Sequence, residues 1–227
     1  MRPASAEHKL ANSMLTAGRE NPAAGLSWRG YAEIGERSRQ VKQLKEEIIR
    51  ARDRRSPARV LETGIGFYKH GGFTKLCLDN LSGEDLLDTV EYEQKHIDEY
   101  IKEFGESNNV KIHFSDSLEF IRNTRHKYDL AFLDSANDPE HIFNEFMSVI
   151  SKMKDDGTIL IDDAGVAGGD CIFRRPDNGK LIPRWPAVKK SKKGLLVHKH
   201  CIDNNIKYSI PCSNVLRIKM LDIQKKG

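Results

Sequence analysis

Long apolar runs are missing from this sequence. None approaches the roughly 18–20 residues that a membrane helix needs. The first ten residues carry Arg2, Glu7, His8 and Lys9 and no apolar stretch, so no secretory signal is expected there. Cysteine is scarce as well. Cys77, Cys171, Cys201 and Cys212 include no Cys-x-x-Cys pair, which argues against a disulfide framework and a thiolate metal site and makes a reduced cytoplasm the expected compartment. Neither sign of charge dominates: 37 Lys and Arg face 33 Asp and Glu, a formal net charge of +4. That balance is too mild to argue for nucleic acid by itself. There is no internal repeat and no low-complexity tract. What remains is a chain of 227 residues, 38% hydrophobic and 31% charged, the profile of one large globular domain with a well-solvated surface.

Residues 1–29 are polar and without period and read as an N-terminal arm, leaving 30–227 as the domain. A helix is expected over about 30–55, where Ile34, Val41, Leu44, Ile48 and Ala51 recur at helical spacing until Ser56-Pro57 stops it. Strands and helices then alternate. The expected strands are Ala58–Glu62, Leu86–Glu91, Val110–Phe114, Tyr128–Leu133 and Thr158–Ile161. Helices of about 10–15 residues between them imply crossover connections and a parallel sheet covered on both faces. The segment 164–193 breaks the rhythm. It is rich in Gly, Pro and basic residues and reads as a long loop or lid. A helix over Gly194–Asn205 and two strands, Tyr208–Pro211 and Val215–Ile223, close the chain, and a hairpin requires one of those strands to run antiparallel.

In an open parallel sheet, ligands bind beyond the carboxyl ends of the strands, and the informative residues cluster there. The first strand ends Glu62-Thr63-Gly64-Ile65-Gly66, where glycines permit a sharp turn and close approach of a ligand. The run is not a dinucleotide fingerprint, because the third glycine position is Lys69. The acid at Glu62 suits a cationic ligand better than a pyrophosphate. Glu91, followed by Tyr92, ends the second strand, where a carboxylate either accepts from a ribose diol or sits solvated at a helix N-terminus. Asp116-Ser117 follow the third strand; an Asp there caps the next helix or accepts from an exocyclic amine.

Glu-Thr-Gly-Ile-Gly, Glu91 and Asp116-Ser117, each after its own strand, resemble the class I S-adenosylmethionine-dependent methyltransferases over about residues 30–223. The resemblance implies a Rossmann-like α/β fold, a mostly parallel seven-stranded sheet with a C-terminal antiparallel hairpin. It places the glycine turn against the methionine part of the cofactor, Glu91 on the ribose, and Asp116 with Ser117 at the adenine. Glu62, Tyr92 and Asp134 join that expected cofactor set. The first turn departs from the family pattern, since Phe67-Tyr68-Lys69-His70 intervene before Gly71-Gly72-Phe73-Thr74, where Gly71, Gly72 and Thr74 resume the motif.

A second constellation lies further along. Asp134 ends the fourth strand and Asp162-Asp163 end the fifth. Three converging carboxylates repel unless a cation intervenes, and an all-oxygen set favours magnesium; the alternative is that one caps a turn and the others face water. The arrangement resembles the metal-dependent O-methyltransferases of the catechol and macrocin types. That likeness implies methyl transfer to a hydroxyl of a small molecule, with Asp134, Asp162 and Asp163 holding Mg²⁺. Relatives often carry Lys or His where this chain has Asn137, so Asp134 becomes the candidate base, or the metal alone acidifies the hydroxyl. The stretch from Arg174 to Lys193 holds eight basic residues and one acid, Asp177. It reads as a lid over the acceptor rather than a nucleic-acid groove with Trp185 as a stacking residue. An RNA or protein acceptor, or a non-catalytic relic, stands as the alternative; a homodimer is compatible with the reading, and no membrane is expected.

Overall fold

Runs that are apolar on both faces must be covered on both sides, so they become the interior of a sheet. The computed structural model describes residues 28–65, 72–164, 172–174, 181–183, 193–212 and 215–224. Within them, the strands are β1 (Arg59–Thr63), β2 (Leu86–Glu91), β3 (Val110–Phe114), β4 (Tyr128–Leu133) and β5 (Met153–Ile161), then β6 (Ile172–Arg174), β7 (Leu181–Pro183), β8 (Tyr208–Cys212) and β9 (Val215–Lys219). The helices are α1 (Trp28–Arg54), α2 (Phe73–Asn80), α3 (Gln94–Phe104), α4 (Ser117–Asn123), α5 (Pro139–Ile150), α6 (Leu195–Asp203) and α7 (Met220–Gln224). Seven strands make one sheet in the order β3-β2-β1-β4-β5-β9-β8. The first five are parallel, and β9 runs antiparallel to both β5 and β8. This is the Rossmann-like methyltransferase architecture expected from the sequence.

The period-two alternation of the strands divides the core. Leu130, Phe132, Val60 and Leu160 face Leu44, Ile48 and Ala51 of α1 and Phe73 and Cys77 of α2. Their neighbours Ala131, Leu133, Leu61 and Ile159 face Ile142, Phe146 and Val149 of α5 and Val197 and Cys201 of α6. On the first side the Phe73 ring stacks on Phe132 at 4.5 Å, which pins the start of α2 beside the strand ends. Cys77 and Cys201 are buried free thiols that fill the core on the two sides of the sheet.

Several expectations need correction. Strand β5 starts at Met153, and Gly157 lets it lie close: an added Cβ would come within 2.9 Å of Met153 Cε and 3.2 Å of the Tyr128 carbonyl. The last strand stops at Lys219 and gives way to α7, because Met220 turns back onto the core while Leu221 is exposed. The expected lid is not wholly a loop, since β6 and β7 pair antiparallel within it. In α1, Val41 lies outside the buried stripe and is exposed. Trp28 and Arg29, expected in the arm, begin α1; residues 1–27 of that arm, the turn residues Gly66 and Phe67–Gly71, Cys171 and Trp185 lie outside the described residues.

Candidate functional site

Strand β1 lies between β2 on one side and β4 on the other, so successive crossovers leave it in opposite directions. A crevice opens beyond its carboxyl end. A cavity of about 240 Å³ occupies that place. Its floor is Gly64 after β1 and Val90 and Glu91 at the end of β2. One wall is Ser115, Asp116 and Ser117 after β3, and the other is Ser135, Ala136 and His141 beyond β4, with Tyr92 at the rim.

Gly64 is required by backbone geometry. Its φ is +86°, and an added Cβ would stand 2.8 Å from the Asp134 carbonyl oxygen and 2.9 Å from Ser135 Cα. The turn after β1 thus lies directly against the turn after β4. Glu91 fixes the same turn from the other side. Its Oε1 accepts from the backbone N–H groups of Tyr92 and Glu93, each at 2.8 Å, and its Oε2 accepts from Ile65 N–H at 3.2 Å. His96 Nδ1 lies 3.3 Å from Oε2. Asp116 caps α4, its Oδ1 accepting from Glu119 N–H at 3.0 Å; the side chain remains exposed. Ser117 beside it is buried. Tyr92 is 64% exposed.

Glu62 occupies a different position. It is buried beneath the turn, where Thr74 N–H and the hydroxyls of Thr74 and Thr89 donate to its carboxylate. Burial pushes its pKa up to about 8 against these hydrogen bonds. Glu62 therefore ties the start of α2 to β1 and β2, and Thr74 serves that tie. Gly72 is the residue preceding α2; Gly66 and Gly71 are outside the described residues.

One group of residues escaped the sequence reading. Glu145, fully buried on α5, accepts from Thr63 Oγ1 at 3.1 Å and from Ser135 Oγ at 2.7 Å, and lies 3.3 Å from His141 Nε2. His141 Nε2 is also 3.0 Å from Ser117 Oγ. The Glu145 hydrogen bond raises the His141 pKa. Together they brace the two turns and the cavity wall from below. The available signal was an acid on the apolar row Ile142, Phe146, Val149 of α5, four residues after a histidine.

The three acids expected to hold metal do converge, yet they meet a cation that belongs to the chain. Lys193 Nζ donates to Asp134 Oδ1 and lies 4.0 Å from Asp163 Oδ2. Asp162 Oδ1 accepts from Gln40 Nε2 of α1 at 2.7 Å. Burial, and then the charges of Asp134 and Asp163, push Asp162 well above the ordinary carboxylate range. Burial lifts Asp134 too, although Lys193 opposes it. Burial disfavours the charge on Lys193, but the surrounding carboxylates overcome that and hold its pKa above the usual value. The cation comes from 59 residues away in sequence, brought to Asp134 by the fold. As they stand, these side chains do not fit a divalent ion, because an ammonium already sits between Asp134 and Asp163 and an amide N–H holds Asp162 Oδ1. Among the described residues no group of three or more His, Cys, Asp or Glu is arranged to hold one. Asn137 is exposed.

Residues 62–164 match the family model described as a methyltransferase domain. The O-methyltransferase TomG of Streptomyces achromogenes, involved in tomaymycin synthesis and solved with S-adenosylmethionine, superposes with a TM-score of 0.51. It shares 20% identity over 78% of this chain and 79% of its own. MycE, the methyltransferase of the mycinamycin biosynthetic pathway solved with Mg and S-adenosylhomocysteine, gives 0.51 at 17% identity over 76% of this chain. Only 47% of MycE is covered, so this chain spans about half its length. A putative caffeoyl-CoA O-methyltransferase from Staphylococcus aureus gives 0.55 at 15% identity over 94% of this chain and 97% of its own. At these identities the likeness is one of fold. No curated protein matches the sequence.

Proposed function

With residues 62–164 recognised as a methyltransferase domain on a class I methyltransferase fold, we propose that the chain transfers the methyl group of S-adenosylmethionine to a hydroxyl oxygen of a small molecule. The observation that carries the reading is the cavity across the ends of β1 to β4, with an acid after β2 and an Asp-Ser pair after β3. A nucleoside fits that donor set. Glu91 would meet the ribose hydroxyls, Asp116 and Ser117 the adenine, Tyr92 its open face, and the backbone at Gly64 the amino-acid part.

When bound, the cofactor supplies a methyl carbon on a cationic sulfur and leaves as a neutral thioether once the acceptor oxygen has taken that carbon. The chain then has two tasks: alignment of the acceptor and removal of its proton. Asp134 stands at the end of β4, beside the Gly64 turn. One of its oxygens is held by Lys193, and the other is left to take the hydroxyl proton. No step requires a metal. The acceptor is read as a small molecule in a reduced cytoplasm rather than nucleic acid, since the net charge is only +4. No helix among the described residues is long and apolar enough to cross a membrane.

Calorimetry with S-adenosylhomocysteine tests the cofactor half of the reading. Wild type should bind, and Glu91→Ala should weaken binding by about 1–3 kcal/mol, the cost of leaving buried polar groups unpaired. Equal affinity in the two proteins removes Glu91 from the site. Release of S-adenosylhomocysteine in the presence of phenolic and sugar-hydroxyl acceptors tests the other half. Turnover with neither class, but with RNA or a protein, would reassign the acceptor.

A further inference from the structure

Lys193 is almost wholly buried, its side chain 5% exposed, and a lysine is rarely placed so deep unless its charge is answered. Its partners are Asp134 at the end of β4 and Asp163 just beyond β5. The backbone builds this placement. The next residue, Gly194, lies so close to the end of β5 that an added Cβ would stand 2.6 Å from Ala164 Cα and 3.2 Å from Ile161 Cγ2. Only glycine lets the segment entering α6 settle on the strand end, and that contact sets Lys193 among the carboxylates. The third acid, Asp162, is engaged separately, by the Gln40 amide from the middle of α1.

A divalent ion needs carboxylate oxygens at roughly 2.0–2.6 Å. An ammonium hydrogen-bonded to the same oxygen in a water-poor site would repel it strongly. The two cations exclude each other. We propose that Lys193 is the resident cation of this site: its ammonium takes the place among Asp134, Asp162 and Asp163 that a metal would occupy, and it stabilises the negative charge that grows on the acceptor oxygen as its proton leaves for Asp134. The second clause rests on the methyl-transfer reading; the exclusion of metal does not.

The test is a Mn²⁺ titration followed by electron paramagnetic resonance on wild type, Lys193→Met, Lys193→Arg and the double variant Lys193→Met/Asp134→Asn. Wild type and Lys193→Arg should leave Mn²⁺ free. Lys193→Met should bind one ion about tenfold more tightly or better, because three carboxylates lose their internal counter-charge. The double variant should lose that gain. Lys193→Gln replaces Lys193→Met if the latter does not fold. Wild type that binds Mn²⁺ as tightly as Lys193→Met overturns the proposal, and so does a neutral variant that gains no affinity. Chelator-sensitive turnover by wild type would overturn it as well. S-adenosylhomocysteine affinity, measured alongside, should match between wild type and Lys193→Met. Absence of that binding in wild type would instead overturn the methyl-transfer reading and leave the Mn²⁺ result intact.

Discussion

At the scale of single residues, the two positions that announced the site in sequence do different work. Gly64 is indispensable for conformation: with φ at +86° and the Asp134 carbonyl 2.8 Å from where a Cβ would stand, Gly64→Ala must shift one turn off the other. A loss of about 1–3 kcal/mol is expected for a residue forced into that region and contact, read as a lower urea midpoint at unchanged slope. Glu62 was read as a ligand-facing acid because it precedes the glycine turn, but its carboxylate is spent on Thr74 and Thr89 inside the protein. Its pKa rises from 4.5 unfolded to about 8 folded. Between those values the native state holds a proton that the unfolded state has lost. Stability from this group is therefore full below about pH 4.5 and falls as pH rises toward 8. Glu62→Gln, which cannot ionise, should flatten that part of the profile. Urea midpoints at several pH values give the answer, and an unchanged slope in Glu62→Gln would assign the effect elsewhere.

At the scale of elements, α5 contributes more than its apolar face. Glu145 reaches from that face into the turns after β1 and β4, and His141 carries the bracing to the cavity wall. Glu145→Ala would strand the Thr63 and Ser135 hydroxyls and the His141 ring. The expected cost is roughly 2–3 kcal/mol, with weaker S-adenosylhomocysteine binding by calorimetry. A variant of wild-type stability would show that water replaces the carboxylate. This network was hard to read in advance because a charge on a buried helical row contradicts the hydrophobic period, and only the fold shows what answers it. Strands were legible for the opposite reason: Leu86, Leu87 and Val90 of β2 and Tyr128, Leu130, Ala131, Phe132 and Leu133 of β4 are apolar and buried, so at these positions pattern and burial agree. Lys193 was invisible for a third reason. It lies in a basic stretch that reads as a lid over the acceptor, and its partners come from strand ends distant in sequence.

At the scale of the whole molecule, the cavity draws on the ends of four adjacent parallel strands, β3, β2, β1 and β4. These strands cannot part without losing the core, since Leu61, Val90, Ala131 and Leu133 share one buried cluster and Val110 of β3 shares the other with Val60, Leu87 and Leu130. The candidate site and the cooperative unit are thus the same piece of structure, and ligand affinity should appear directly as global stability. A ligand at about a hundred times its Kd adds about 2.7 kcal/mol to a native state that alone binds it. For a chain of this size each kcal/mol moves the Tm by about 2–4 °C. S-adenosylhomocysteine at that excess should therefore raise the Tm by about 5–10 °C. NAD should leave it unchanged, because the third glycine of the dinucleotide turn is replaced by Lys69. Glu91→Ala should show a smaller shift at the same ligand concentration, in proportion to its lost affinity. If S-adenosylhomocysteine produced no shift, or if NAD matched it, the cavity would not be a site for this cofactor. If instead the shift survived undiminished in Glu91→Ala, binding would stand but the ribose would lie elsewhere along the strand ends.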